Sequence, residues 1–193
     1  MNKKGLTFAI QLNEEENGIV MPLSQAKFEN IRWRKEAKYR SNVQYVDLGL
    51  PSGIRFADRN YGADEVDDLG LLYPHKETEN LRFDDGTRMP TKDDFIELRK
   101  YCDWKWTERN GIRGYEVKSK VNDNSIFLPA AGNGYGTSLN HLGSSGSYWS
   151  SSFLSSAYAC SLYFDSGGIN PQSNYNRFVG FSVRAVQNAP QNK

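Results

Sequence analysis

Residues 147–179 read SYWSSSFLSSAYACSLYFDSGGINPQSNYNRFV, with Asp165 and Arg177 the only charged side chains. A stretch this polar is either a linker or a folded surface, and its aromatic content decides between them. Disordered segments are poor in aromatics, whereas Trp149, Phe153, Phe164 and Phe178 recur here beside Leu162. Tyrosines set among Ser, Gly and Asn are the composition of a recognition surface, because Tyr gives contact area at low entropy cost and small polar residues adapt their hydrogen bonds. The same poverty of charge extends outward. Of 24 basic and 23 acidic residues, only Asp165, Arg177, Arg184 and Lys193 lie from residue 125 onward. Residues 159–164 and 181–186 predict strands, with Gly- and Asn-rich loops before and between them.

Working toward the N-terminus, Ser125-Ile126-Phe127-Leu128 and Tyr115-Glu116-Val117-Lys118 predict strands joined through Asn122-Asp123-Asn124, and Trp104 and Trp106 alternate into another before the Asn110-Gly111 turn. A helix precedes them. Pro90 stops what comes before, Thr91 caps, Asp94 stands at the third helical position, and Phe95, Leu98 and Cys102 share one face. Residues 62–86 carry several acids and no sustained period, which predicts loop. Tyr45 to Ala57 predicts a hairpin turning at Pro51-Ser52-Gly53. Residues 1–44 differ from the rest, charged and poor in glycine, with a helix predicted around 25–39. They read as an attachment or oligomerisation appendage to a ligand-binding domain over 45–193. Few helices beside many short strands and long loops predict an α+β domain, and loops this long are usually functional.

Composition excludes several classes. A net charge of +1 gives no reason to expect nucleic acid as partner, and the cluster Arg32, Arg34, Lys35, Lys38, Arg40 reads as a solvated helix face. Cys102 and Cys160 are the only cysteines, which provides no zinc spacing; a buried free thiol suits Cys102, while a single bridge between the two stays open. No stretch approaches the length of a membrane span, and no signal peptide is read at the N-terminus. The location expected from these residues is therefore the cytoplasm, or the bacterial cell surface if a leader was removed.

Five ordered motifs carry a resemblance: Tyr45-Val46-Asp47-Leu48-Gly49-Leu50-Pro51-Ser52-Gly53, Met89-Pro90-Thr91-Lys92-Asp93-Asp94-Phe95, Asn124-Ser125-Ile126-Phe127-Leu128-Pro129-Ala130-Ala131-Gly132, Gly146-Ser147-Tyr148-Trp149-Ser150-Ser151-Ser152 and Gly180-Phe181-Ser182-Val183-Arg184. Together they resemble the major paralogous domain of gut Bacteroidetes and Fibrobacter, related to formylglycine-generating enzymes. The resemblance covers roughly residues 45–186 and implies a C-type lectin-like fold. Domains of this type serve as variable proteins of diversity-generating retroelements, whose C-terminal region is rewritten at adenine-containing codons. The residues such mutagenesis yields fill 147–179.

The resemblance implies a ligand face drawn from Tyr148, Ser150, Ser152, Phe153, Ser155, Tyr158, Tyr163, Asp165, Asn170, Gln172, Asn174, Tyr175, Asn176 and Arg177. Exposed aromatics there would serve as stacking platforms or epitope anchors, and the amides and hydroxyls would meet sugar hydroxyls or a polar protein surface. Asn and Ser are equally ordinary turn formers, and Asp165 and Arg177 have each other as possible partners. Trp149 reads as core and Arg184 as a satisfied structural arginine.

Enzyme readings are poor. The formylglycine-generating relatives hold copper between two late cysteines, and Cys160 stands alone here. His75 and His141 have no evident catalytic partner pattern and read as loop or surface histidines. Pro171-Gln172-Ser173-Asn174 does not match the calcium-lectin loop, and Asp165 is the only acid near it. No catalytic residue, metal ligand or cofactor is expected. With the resemblance, the expectation is a non-enzymatic receptor-binding protein with a diversified face, located in a phage virion (tail) and assembled as a trimer through residues 1–44, with a cell-surface protein or glycan as ligand. The alternatives are a fixed-sequence bacterial adhesin and, below it, a degenerate formylglycine-generating-type enzyme.

Overall fold

The computed structural model describes residues 14–16, 19–21, 25–136 and 138–189. The N-terminal part holds the hairpin β1 (Glu14–Glu16) and β2 (Ile19–Met21), then helix α1 (Gln25–Asn42). A four-stranded sheet follows from β3 (Tyr45–Asp47), β4 (Arg55–Ala57), β6 (Thr87–Arg88) and the C-terminal β16 (Val186–Gln187), in the order β3-β4-β16-β6. The expected hairpin is its first half. Leu50 O accepts from Gly53 N at 2.8 Å, and Gly53 sits at φ +72°, a backbone region closed to most side chains.

Helix α2 (Lys92–Tyr101) has the reciprocal cap its sequence predicts. Thr91 Oγ1 accepts from Asp94 N at 3.2 Å, and the Asp94 carboxylate accepts from Thr91 N at 2.7 Å. Arg88 adds an ion pair to Asp94 at 2.6 Å. Next come β7 (Cys102–Arg109), β8 (Ile112–Ser119) and β9 (Ser125–Pro129), a three-stranded antiparallel meander. Strands β10 (Asn133–Tyr135), β11 (Ser138–Asn140), β15 (Gly180–Phe181) and the earlier β5 (Tyr73–Pro74) form a small sheet ordered β11-β10-β15-β5. A second three-stranded antiparallel meander, β12 (Ser145–Phe153), β13 (Tyr158–Asp165) and β14 (Gly168–Asn176), completes the fold.

This architecture corrects the expected fold class. Strand makes up 44% of the structure and helix 17%, and the strands gather into small antiparallel sheets. The molecule is β-rich, not the helix-plus-sheet α+β, C-type lectin-like class. Much of the difference lies in residues 168–176, read as an Asn-rich loop because Gly, Asn and Pro are poor strand formers. Here they pair along β13, from Asp165↔Gly168 to Tyr158↔Asn176. Because β14 is an edge strand, Pro171 is tolerated there. Two further readings change. Residues 62–86 contain β5 and a 3-10 helix, His75–Asn80, and 181–186 is no continuous strand, since Val183, Arg184 and Ala185 run buried between β15 and β16.

Two cores lie on either side of β12. Successive strand side chains point to opposite faces, so Tyr148 enters one core and its neighbour Trp149 the other. The first core joins Tyr148, Leu162 and Phe164 to Phe56, Phe95, Leu98, Val117 and Leu128, and α2 lies against this side of the sheet. Gly146 pairs with Phe164, and a Cβ there would collide with the Phe164 ring. The second core stacks Trp149 on Phe181 at 4.2 Å and gathers Tyr39, Tyr61 and Tyr73. Trp149 Nε1 donates to Tyr73 O at 2.8 Å, satisfying its one polar atom, as Trp149 read as core requires.

Tyr39 builds α1 into that core. The basic helix face is no solvated face: Arg32 pairs with Glu77 at 2.9 Å, Lys35 with Asp64 at 3.1 Å and Lys38 with Asp64 at 3.2 Å. Asp64, Asp68 and Glu77 of the 62–86 segment are therefore the counter-charge to α1. Cys102 and Cys160 are both free and buried. Arg184 is fully buried and donates through Nη1 to Ala57 O and through Nη2 to Phe127 O, while its Nε has no partner. No helix among the described residues is long and apolar enough to cross a membrane.

Candidate ligand-binding face

The face of the β12–β13–β14 sheet that carries Trp149 is covered at one end by Phe181 and opens at the other into a pocket of about 350 Å³. Register explains its lining. Directly opposed residues share a face, and Ser147↔Tyr163, Ser145↔Asp165 and Ser161↔Ser173 all present their side chains here. Ser145, Ser147 and Ser161 form a buried floor, while Tyr163 and Tyr175, 38% and 49% exposed, stand at its side. Among the described residues, the hydroxyls of Ser147, Ser161, Ser173 and Tyr175 make no hydrogen bond within the protein, as the internal bonds of the lining fall to Tyr163, Asp165 and Ser144.

Asp165 is the acid of this pocket, and its oxygens are engaged. Oδ1 accepts from Gly167 N at 2.8 Å and Gly168 N at 3.1 Å, closing the β13–β14 turn, and Oδ2 accepts from the Tyr163 hydroxyl at 3.1 Å. On the opposite wall, His141 sits at φ +61° and its carbonyl accepts from Ser144 N and Ser145 N. A left-handed backbone at a non-glycine residue is uncommon. Asn133 completes the polar wall. A second cleft of about 380 Å³, between Leu69, Ile112, Arg113 and Leu142, shares Ser144 with the first.

Beside the pocket runs an aromatic rim. Phe153 is 60% exposed and Phe178 57%, with Tyr135 also open to solvent. Arg177 organises one end of the rim. Its guanidinium lies 4.7 Å from the Phe153 ring centroid, pairs with Glu79 at 3.1 Å and donates from Nε to His75 Nδ1 at 3.2 Å. His75 is no loop or surface histidine: it is buried, edge-on to Trp149 and Phe153, and Nε2 lies 2.9 Å from Ser150 O. With Arg177 donating to Nδ1, the proton belongs on Nε2, which donates to that carbonyl. Burial pushes the His75 pKa below its ordinary value; the Ser150 carbonyl pulls it up and the Arg177 charge presses it down again.

The fourteen residues expected at the face separate into groups. Tyr148 and Ser150 are corrected outright: both are fully buried, because β12 turns them away from solvent. The Tyr148 hydroxyl donates to Pro129 O at 2.8 Å, and Ser150 Oγ accepts from Ser152 N. Ser152 Oγ accepts from Lys92 N at 3.0 Å and so serves the start of α2. Ser155 Oγ accepts from Ala157 N and Tyr158 N, Asn170 Oδ1 from Gln172 N and Asn176 Oδ1 from Phe178 N, which are local turn roles. Asn174 pairs with Cys160, on the side turned away from the pocket, and Gln172 is exposed on the edge strand. Tyr163, Asp165 and Tyr175 line the pocket, Phe153 and Arg177 belong to the rim, and Tyr158, though exposed, falls with Cys160 on the other side of β13. Asp165 and Arg177 do not pair with each other; their partners are Tyr163 and Glu79.

A family model described as a domain of unknown function (DUF8237) matches residues 114–186. The match covers less than half of the chain and contains every residue of the serine-floored pocket. No curated protein and no solved structure matches the chain.

Sequence reasoning missed Asn133, His141 and Phe181 as pocket residues, and assigned no role to Ser145 or Ser161. Nothing local marks the first three, since the β10–β11 hairpin and β15 reach the pocket only through pairing with each other. The serines were within reach once 168–176 is taken as a strand, because period two then selects Ser161 and Ser173. Among the described residues, no three His, Cys, Asp or Glu side chains gather as metal ligands.

Proposed function

We propose that this chain is a non-enzymatic recognition module that binds its ligand on the open face of the β12–β13–β14 sheet. One observation carries the reading: largely buried serines whose hydroxyls open into the pocket without a protein partner lie beneath exposed tyrosines, next to a rim of solvent-exposed aromatic rings. Exposed apolar clusters with a polar surround are characteristic of interaction sites. The side chains are neutral donors and acceptors, suited to selecting a ligand by shape and hydrogen bonding.

The same face accounts for the residue types of 147–179. The backbone pairing of β13 and β14 is independent of side chains, so Tyr158, Tyr163, Asn170, Gln172 and Tyr175 can vary while the ladder and the buried Leu162 and Phe164 stay fixed. A retroelement variable protein needs this separation of scaffold from contact positions. The test is to sequence the DNA around the gene for a near-copy of the segment encoding 147–184, differing chiefly at adenines and adjacent to a reverse transcriptase. Such a copy, with its adenine differences at exposed codons, supports diversification. Differences spread equally over Trp149, Leu162 and Phe164 would oppose it, and the absence of any copy would leave recognition by a fixed face, the adhesin alternative.

A further inference from the structure

We infer that the serine-floored pocket takes one ring of a neutral carbohydrate, stacked against Tyr175 and hydrogen-bonded to the serine floor. The inference rests on the recognition reading above and specifies its ligand class.

Charge narrows the candidates first. Among the described residues no lysine or arginine lines the pocket and His141 is its one basic side chain, so a carboxylate, phosphate or sulfate entering beside Asp165 would lose water without meeting a permanent counter-charge, a costly exchange. A cationic ligand fares little better. The Asp165 carboxylate, the only acid in the lining, already accepts from Gly167 N, Gly168 N and the Tyr163 hydroxyl. A neutral ligand remains.

Polarity narrows them further. An apolar ligand would leave the hydroxyls of Ser147, Ser161 and Ser173 buried without partners, each a loss. A ligand rich in hydroxyls meets them well, because a serine hydroxyl both donates and accepts and so matches either role of a sugar hydroxyl. Tyr175 supplies the second half of the recognition. Its ring is half exposed and is held 5.4 Å from Phe181, presenting an aromatic face of the kind that packs against the C–H side of a pyranose. At about 350 Å³ the pocket lies toward the small end of ligand sites, ~300–1,000 Å³, which suits a single ring.

The full chain is tested by titration calorimetry with methyl glycosides of neutral hexoses and on an array of neutral, sialylated and sulfated glycans. Neutral glycans are expected to bind and charged ones not. Tyr175→Ala should weaken binding by about tenfold or more and Tyr175→Phe much less. The double variant S161A/S173A should lose binding while keeping the wild-type circular dichroism and melting temperature, since it removes donors without removing packing. Absence of neutral-glycan binding, or binding indifferent to Tyr175→Ala, overturns the inference. Bacterial surfaces treated with periodate or with protease separate this failure from a wider one. Binding that survives periodate, is abolished by protease and still needs Tyr175 would replace the carbohydrate with a protein ligand and keep the recognition module. Loss of binding to glycan and protein surfaces alike would overturn both.

Discussion

The two three-stranded meanders of this molecule share a topology and differ in what they offer to solvent. On the β7–β8–β9 sheet, cross-strand neighbours carry opposite charge: Asp103↔Lys118, Lys105↔Glu116 and Glu108↔Arg113. On the β12–β13–β14 sheet the corresponding pairs are Ser161↔Ser173, Ala159↔Tyr175 and Tyr158↔Asn176, without charge. A charge ladder keeps a half-exposed sheet soluble and contributes modestly to its register. An uncharged sheet edged with open aromatics forgoes that protection. The contrast is intelligible if solvent is the permanent neighbour of the first sheet and a ligand the intended neighbour of the second.

The comparison breaks most severely at Trp149, where the second sheet is fastened to its core. Trp149→Ala removes the stack on Phe181 and the bond to Tyr73 O. It is expected to cost about 3–5 kcal/mol in urea unfolding, and a loss under ~1 kcal/mol would mean the face does not depend on that core.

Mild acid, between pH 7 and 5, is the next lever, and its target is His75 at the rim of the second sheet. His75 is held neutral, accepting from Arg177 and flanked by Trp149 and Phe153, with Glu79 the acid on the far side of Arg177. Its folded pKa lies below the ordinary 6.5, so the unfolded chain binds the extra proton more readily. The stability this contributes is complete above pH ~6.5 and is lost as pH falls through the lower folded value. Between pH 7 and 5 the wild type should lose melting temperature more steeply than His75→Gln, and parallel profiles would remove His75 as the cause.

A smaller effect tests the first sheet. Lys105→Glu places like charges opposite each other at Glu116, for an expected cost of roughly 0.5 kcal/mol that shrinks in high salt; an unchanged or salt-independent stability would mean that the ladder is decorative. The smallest stability change belongs to the second sheet. Tyr175→Ala, half exposed on an edge strand, should stay within ~0.5 kcal/mol of wild type, so that any loss of binding it causes is a loss of contact, not of fold.

Legibility differed between the same two regions. In the first, alternation of Trp104 and Trp106, the Asn110-Gly111 turn and the apolar run from Ile126 to Leu128 lead to the strands that are observed. Thr91 and Asp94 likewise announce the cap of α2. In the second, Gly168–Asn176 has neither propensity nor alternation to mark it, and it becomes a strand because β13 offers an unpaired edge. Without the pairing register of β12, β13 and β14, the expected site mixes pocket residues such as Tyr163 and Tyr175 with turn residues such as Ser155 and Asn176 and with the buried Tyr148 and Ser150.

The sequence by itself determined that residues 147–179 are folded, almost uncharged and rich in tyrosine, and that a capped helix and a strand meander precede them. Those are local properties, set by composition, period and turn chemistry. Only the tertiary structure decided which side chains face outward, that His75 lies buried against Arg177, and that Asn133 of β10, His141 just after β11 and Phe181 of β15 wall the serine floor. Which face of a strand is open depends on pairing register and on what packs behind it, and both are set by partners distant in the chain.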